Sequence, residues 1–356
     1  MKRIDNTDTK YTYQLSRLKS EYFNIYQKLL TNFKNEHIDL EKAVGNFVNI
    51  QQLFFFEASK TAWEETYSAY LMLGPFCQTN SNFSNSLSNN RDLIALNRMD
   101  EGYIDFTQGN PSGGIINDPT NYPSLYSSDL LNFNQIGSLL NVSIGFHAME
   151  FLLWGEDLQA NDSGNRSAVQ FSNNYTNGER RRVYLRSVNE RLKIDFNLVF
   201  SETGKLSAIK KLNSSESADL LFNSLSNHIN YVAEDLIKRS LVTQDENFEL
   251  DKFSDKTNLH LLKLIEGIGI YLNPKSLFPN ESRYFLLNFI SDVNPDASDK
   301  IANELENTRS HLALLTSNFD QAITKPQDIV HLQTAYNSLK IIQKEIESFL
   351  SEISKN

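Results

Sequence analysis

The stretch Ile144–Gly155, IGFHAMEFLLWG, places His147 and Glu150 three residues apart among side chains that are nearly all apolar. In an α-helix, residues at i and i+3 lie one above the other on the same face. The apolar neighbours would remove both groups from water, and an unpaired buried imidazole or carboxylate is costly or loses its charge. We therefore expect a buried helix whose His and Glu pair with each other, with a cation, or with partners elsewhere in the chain.

Helical periodicity continues on both sides of this stretch. Apolar residues recur at three- and four-residue spacing over 11–33 and 40–73, and Gly74-Pro75 predicts the end of the second of these helices. The helix with His147 is predicted over about 133–154, ending before Gly155. Further helices are predicted over 179–200, 216–241, 255–272, 281–291, 297–323 and 327–353.

Polar segments rich in Asn, Ser, Gly and Pro separate these helices, and no alternating strand pattern is found. Segments 78–91, 106–128 and 158–177 are predicted as long loops, which in a compact domain are often functional. The chain therefore predicts an all-α fold of two helical-bundle domains packed together, with long irregular loops. The N-terminal bundle, 1–165, carries the His147 helix, and the C-terminal bundle is 166–356.

Composition narrows the class of protein. Of 356 residues, 40% are hydrophobic and 22% charged, as in ordinary globular proteins. A net charge of -10 argues against a nucleic-acid partner and is compatible with cations. No apolar run approaches the roughly 18 residues of a transmembrane helix.

Cysteine content and the first residues bear on disulfides and on export. Cys77 is the single cysteine, which excludes an intrachain disulfide. The first residues include Lys2 and Arg3 but no apolar segment follows, so no signal peptide is predicted. The chain is then either cytosolic or a mature or engineered form from which an export segment is missing.

His-x-x-acid is a weak motif by itself. Six histidines and 44 acidic residues in 356 positions give about 0.7 such pairs by chance. A purely structural His147–Glu150 pair is one interpretation. The other is a metal site, because imidazole with carboxylate suits Zn, Fe or Mn better than Mg or Ca. Further ligands would then have to come from distant segments.

Several motifs in a fixed order resemble the imelysin-like family. Gly145-x-His147-x-x-Glu150, continued to Gly155, resembles its GxHxxE signature. The other matches are Ala62-Trp63 with Gly74-Pro75-Phe76, Arg181-Arg182-Val183-Tyr184-Leu185, Phe253-Ser254-Asp255-Lys256-Thr257, and Gly267-Ile268. They span about residues 62–270. One departure is Asp251-Lys252, where the family often has Ser-Cys.

The resemblance implies an extracytoplasmic bacterial protein of two helical bundles, in a family of periplasmic proteins and lipoproteins. Some members are tied to iron uptake or regulation. It therefore implies a periplasmic or outer-surface location, a divalent or ferric ion (Fe or Zn) or a small ligand as partner, and a membrane-associated iron-uptake system as a further partner. His147 and Glu150 would hold the metal at the interface of the bundles. Contributors expected from the second half are Ser254, Asp255, Arg181 and Tyr184.

Other interpretations stay open. The family carries a peptidase label, so His147 could hold a catalytic metal with Glu150 as ligand or general base. A non-catalytic binding module with a structural His–Glu pair is the third class. Locally, Ser254 or Asp255 could cap the following helix. One arginine of 180–182 is expected to pair with a carboxylate or an anionic ligand, and Tyr184 could be a core residue.

Overall fold

A computed structural model describes residues 10–77, 93–159, 162–200, 211–280 and 284–354. These residues form helices joined by irregular segments, and their β-structure is limited to two isolated bridges. The predicted all-α class is confirmed. Of the predicted loops, 78–91 lies outside the described residues. Segments 106–128 and 158–177 are largely irregular where they are described.

The longer helices are α1 Thr12–Asn49, α2 Leu53–Met72, α6 Gly178–Val199, α7 Ser214–Asn230, α8 Thr257–Leu272, α10 Pro295–Ala313 and α12 Pro326–Ile353. The shorter ones are α3 Gly74–Cys77, α4 Ser127–Phe133, α5 Gly145–Trp154, α9 Leu286–Val293 and α11 Phe319–Ala322. The path of α7 continues through a π-helical segment, Tyr231–Lys238, into a last α-helical stretch, Arg239–Thr243.

The first helix break falls elsewhere than the apolar pattern predicts. Helix α1 continues through the mostly polar residues 34–39, because His37 and Leu40 extend its buried stripe. The break comes at 50–52 instead, where Ile50 is extended and caps α1 through its N–H to Asn46. The separate helices predicted over 11–33 and 40–73 are thus α1 and α2 with a later boundary.

The helix with His147 is shorter than predicted. Residues 134–144 are irregular, since Asn134 is extended and Gln135 adopts a left-handed φ of 60°. Helix α5 begins at Gly145, whose φ is 89°. A Cβ at Gly145 would lie 2.7 Å from the carbonyl oxygen of Ile94, so both the conformation and the space require glycine. The predicted end before Gly155 is confirmed.

Two boundaries in the second half also differ. The helix predicted over 297–323 is divided, because α10 ends at Ala313 and only α11 follows before the loop to α12. The helix predicted over 281–291 begins later, at Leu286, and residues 281–283 lie outside the described part of the chain.

Helix α5 lies inside the molecule, and every one of its residues is buried. It packs against α2 and α6, while α8 packs against α2 and α10. A Cβ at Gly267 of α8 would lie 2.8 Å from the Met72 carbonyl oxygen, so glycine permits the close approach of α2 and α8. No helix in the described ranges is long and apolar enough to cross a membrane. The division at residue 165 stays a prediction.

Candidate metal centre

Helix α5 presents His147 and Glu150 to each other. The His147 Nδ1 and Glu150 Oε2 atoms are 2.8 Å apart, and the side chains are 2% and 0% exposed. Because α5 is apolar on all its other faces, this pair forms a polar spot inside the core. The expectation that the two groups are desolvated together is confirmed.

Helix α2 supplies the second partner of His147. The hydroxyl of Tyr67 lies 3.1 Å from His147 Nε2. Burial, with a further effect of the nearby Asp251 carboxylate, raises the pKa of Tyr67 well above its usual value. Tyr67 therefore stays a neutral hydroxyl, and both ring nitrogens of His147 have polar partners.

The segment before α8 supplies the partners of the other Glu150 oxygen. Glu150 Oε1 accepts hydrogen bonds from the N–H of Phe253 at 3.2 Å, the N–H of Ser254 at 2.9 Å and the Ser254 hydroxyl at 2.7 Å. Burial raises the pKa of Glu150, although the hydrogen bond with His147 opposes this shift. Helix α5 and the 253–254 segment are thus joined through one buried carboxyl group.

A second buried imidazole–carboxylate pair lies beside the first. Asp251 Oδ2 and His260 Nδ1 are 2.7 Å apart, and both side chains are fully buried. A nitrogen of His147, an oxygen of Glu150 and an oxygen of Asp251 all lie within 4.8 Å of one another. Asp251 Oδ1 has no hydrogen-bond partner among the described residues.

These three side chains fit a transition-metal ion. One imidazole nitrogen and two carboxylate oxygens form a donor set suited to Zn, Fe or Mn. Asp251 offers an oxygen that no described group occupies, and His260 holds the other oxygen of that carboxylate. Such an outer imidazole orients a ligating carboxylate. A cation would also balance two carboxylates that burial otherwise makes costly.

The motifs did not single out Asp251, His260 or Tyr67. Asp251 was visible only as a departure from the family pattern, and His260 lacks ligand spacing to His147. The available signal was local: a histidine inside the apolar helix α8 and an acid nine residues before it. Only the fold brings these groups beside α5.

Of the contributors expected from the second half, Ser254 contacts the pair directly. Asp255 instead accepts a hydrogen bond from Asn318 Nδ2 at 2.7 Å. The helix-cap interpretation of Ser254 and Asp255 is wrong, because α8 begins after Lys256 without a side-chain cap. Burial, together with Asp157 and Asp320, raises the pKa of Asp255 to about 7.

Arg181 and Tyr184 lie away from the His147–Glu150 contacts. Arg181 binds Asp105 through Nε at 2.6 Å and Nη2 at 3.0 Å, and Arg166 Nη1 reaches the same carboxylate at 2.5 Å. Burial opposes ionisation of Asp105, but the two guanidinium groups lower its pKa overall. The Tyr184 hydroxyl donates to the Ser143 carbonyl oxygen at 2.8 Å. The predicted pairing of one arginine with a carboxylate is confirmed. The carboxylate is that of Asp105, which is not part of the His147–Glu150–Asp251 cluster.

Asp105 was another residue that the motifs missed. It stands between Ile104 and Phe106, and an acid in an apolar setting is a signal of a buried pair. The neighbouring Arg180 is half-buried and donates to the carbonyl oxygens of Ile115, Ile116 and Tyr122.

Comparison with known protein families shows the family to which the chain belongs. The family model described as imelysin matches residues 27–346, which include α5 and the 251–255 segment. The chain belongs to the imelysin family. No curated protein matches it in sequence.

A solved structure shares the fold of this imelysin-family chain. It is the crystal structure of a protein from Parabacteroides distasonis named as a candidate iron-regulated protein A precursor. The two chains superpose with a TM-score of 0.73 over 98% of this chain and 97% of that one, at 14% sequence identity. At this identity the likeness supports a common fold.

Proposed function

We propose that this imelysin-family chain is an extracytoplasmic protein that binds a first-row transition-metal ion, iron or zinc, in a role linked to iron uptake or regulation. The buried cluster of His147, Glu150 and Asp251 carries the proposal. Its mixed nitrogen and oxygen donors lie within 4.8 Å of one another. When bound, the ion would supply positive charge to the two carboxylates.

Hydrogen bonds from neighbouring residues hold each ligand side chain of the cluster. Glu150 is held by Ser254 and the backbone of 253–254, and Asp251 is held by His260. Tyr67 contacts the imidazole of His147. These outer contacts fix ligand positions before an ion arrives, which favours affinity. The iron link rests on the family and on the name of the Parabacteroides distasonis protein.

A purely structural His147–Glu150 pair is the second candidate. The observation in its favour is that Glu150 already has a partner at each oxygen, as His147 has at each nitrogen. The same observation weakens the metallopeptidase alternative, because a general base needs a free oxygen facing a water or substrate. Asp251 favours metal binding over the structural pair, because its Oδ1 has no partner among the described residues and could bind an ion.

Metal loading tests the proposal. Protein purified without a chelating tag is stripped with a chelator, loaded with Fe²⁺ or Zn²⁺, and analysed for bound metal per chain. We expect about one tightly bound ion in the wild type. Loss of a ligand in His147→Ala or Asp251→Asn is expected to weaken metal binding tenfold or more. Removing a residue that only hydrogen-bonds a ligand already costs about tenfold or more in metal affinity, and removing the ligand itself should cost at least as much.

His331→Ala is the matched control, because the half-buried His331 of α12 pairs with His311 of α10 and not with the cluster. It should load like the wild type. Folded wild-type protein that takes up neither ion, with His147→Ala reducing only thermal stability, would overturn the proposal in favour of the structural pair. Loss of metal in His331→Ala alone would also overturn it.

A further inference from the structure

A cavity of about 240 Å³ lies between α1 and α6, which pack against each other. None of its lining residues belongs to the His147–Glu150–Asp251 cluster. Its apolar lining consists of the more exposed Ile38 and the buried side chains Leu30, Phe33, Phe196 and Phe200. Ligand sites are mostly apolar with a few polar groups, and drug-sized ligands take about 300–1,000 Å³. This slightly smaller cavity therefore fits a molecule with a single ring.

Aromatic rings converge on this cavity. The ring centroids of Phe33 and Phe196 are 4.2 Å apart in an edge contact, and the ring of Phe200 lies 6.1 Å from the first and 6.2 Å from the second. The imidazole of His37 lies 5.4 Å from the Phe196 ring. Because aromatic rings prefer edge and offset contacts with other rings, these four side chains favour a flat aromatic ligand over an aliphatic one.

The buried polar side chain of the cavity lining is His37, which is 5% exposed. Its Nε2 atom is buried and has no hydrogen-bond partner within the described ranges. Burial lowers the pKa of His37 to about 4, although Glu41 opposes the shift, so the imidazole is neutral at pH 7. A neutral imidazole donates from one nitrogen and accepts at the other.

The position of Glu41 indicates which nitrogen of His37 accepts. Glu41 Oε2 lies 4.0 Å from His37 Nδ1, and this carboxylate favours the proton on Nδ1. Nε2 then carries a lone pair that no group in the described part of the chain meets. Because buried polar atoms are nearly always hydrogen-bonded, an acceptor in a cavity lining calls for a donor inside the cavity.

The charged groups of the lining do not select a charged ligand. Lys193 Nζ lies 2.9 Å from Glu41 Oε1, so these two charges largely balance each other. Lys34, the other charged residue of the lining, is exposed to solvent. An ionised ligand would lose its hydration in the apolar cavity with little compensation. The cavity therefore favours a neutral molecule.

We propose that this cavity binds a neutral single-ring aromatic alcohol of the phenol class. The ring of the ligand contacts Phe33, Phe196 and Phe200, and its hydroxyl donates to Nε2 of His37. A hydrocarbon of the same shape would leave Nε2 without a partner, which is costly for a buried acceptor. The inference goes beyond metal binding at His147 and does not depend on it.

Fluorine-observed NMR titration of the full chain with 4-fluorophenol and 4-fluorotoluene tests this site. The two probes have nearly the same shape, and only 4-fluorophenol can donate a hydrogen bond. His37→Phe keeps a ring in the cavity lining and removes the acceptor. We expect this variant to bind 4-fluorophenol about three- to tenfold more weakly, the usual effect of one hydrogen bond, and to bind 4-fluorotoluene as tightly as the wild type or more tightly.

His331→Phe in α12 is the matched control and should bind both probes as the wild type does, because His331 pairs with His311 outside the cavity. Nitrogen-15 NMR of the wild-type histidine rings needs no variant. Nε2 of His37 should be unprotonated, and its signal should shift far more with 4-fluorophenol than with 4-fluorotoluene. Folded wild type that binds no 4-fluorophenol at millimolar concentration, or a proton on Nε2, would overturn the inference. Equal weakening of both probes in folded His37→Phe would overturn it too, because the hydroxyl would then add nothing.

Discussion

At the scale of single residues, burial sets the protonation of His37. This side chain of α1 is 5% exposed and packs edge-on against Phe196, with the ring centroids 5.4 Å apart. Desolvation lowers its pKa to about 4, although Glu41 opposes the shift. The unfolded chain takes up a proton near the ordinary histidine pKa of about 6.5, whereas the folded chain does not until about pH 4.

Stability from neutral His37 is therefore fully present above the unfolded pKa and is lost as pH falls toward the folded pKa. When the pH falls from 7 to 4.5, we expect preferential protonation of His37 in the unfolded chain to lower the free energy of unfolding by roughly 2 kcal/mol. Urea denaturation of wild type and His37→Phe at both pH values measures it, with the phenylalanine keeping the ring packing. Equal losses in the two proteins, or an NMR titration of His37 near pH 6.5, would contradict the assignment.

Individual residues also show how much of the metal centre could be predicted from the sequence. His147 and Glu150 are neighbours within one helix, so their apolar surroundings and spacing were enough. Asp251 and His260 reach them only through the packing of α8 on α2 and the path of residues 251–255. Arg181 was expected near the cluster and binds Asp105 instead, because a helix-start arginine meets whichever buried carboxylate the fold provides.

At the scale of elements, Gly145 determines how α5 begins. Alanine there would hold a φ of 89° and meet the Ile94 carbonyl oxygen at 2.7 Å. We expect Gly145→Ala to destabilise the protein by about 1–3 kcal/mol. Thermal and urea unfolding measure the change.

Gly45, about one turn before the end of α1 at Asn49, is the matched control, since a Cβ there has nothing within 4 Å. Gly45→Ala should stabilise the protein by about 0.5–1 kcal/mol through helix propensity. If both substitutions changed stability in the same direction and by the same amount, the strained start of α5 would not be the reason for its glycine.

Element boundaries show where periodicity stops being informative. The apolar stripes predicted the main helices, but not the continuation of α1 through 34–39, where polar residues still propagate a helix supported by tertiary packing. Conversely, Phe133 and Ile144 have apolar neighbours, yet Gln135 and Gly137 with positive φ break the path between them. Local backbone conformations of this kind are not encoded in hydrophobic spacing.

At the scale of the whole molecule, the candidate site depends on both parts of the chain. Helices α2 and α5 from the first part supply Tyr67, His147 and Glu150, and residues 251–260 from the second part supply the rest. Composition and periodicity were sufficient for the all-α class, because almost every helix has a buried apolar face. They could not predict how the helices pair, since that depends on contacts between residues far apart in sequence.

Anomalous diffraction at the iron and zinc absorption edges tests the central claim most directly. Crystals of protein loaded with either ion should give one strong peak within about 2.0–2.3 Å of donor atoms from His147, Glu150 and Asp251. Crystals of His147→Ala treated in the same way should lack it. A loaded wild-type crystal without a peak at these side chains, or with its peak at His311 and His331, would contradict the claim that this buried cluster binds the metal.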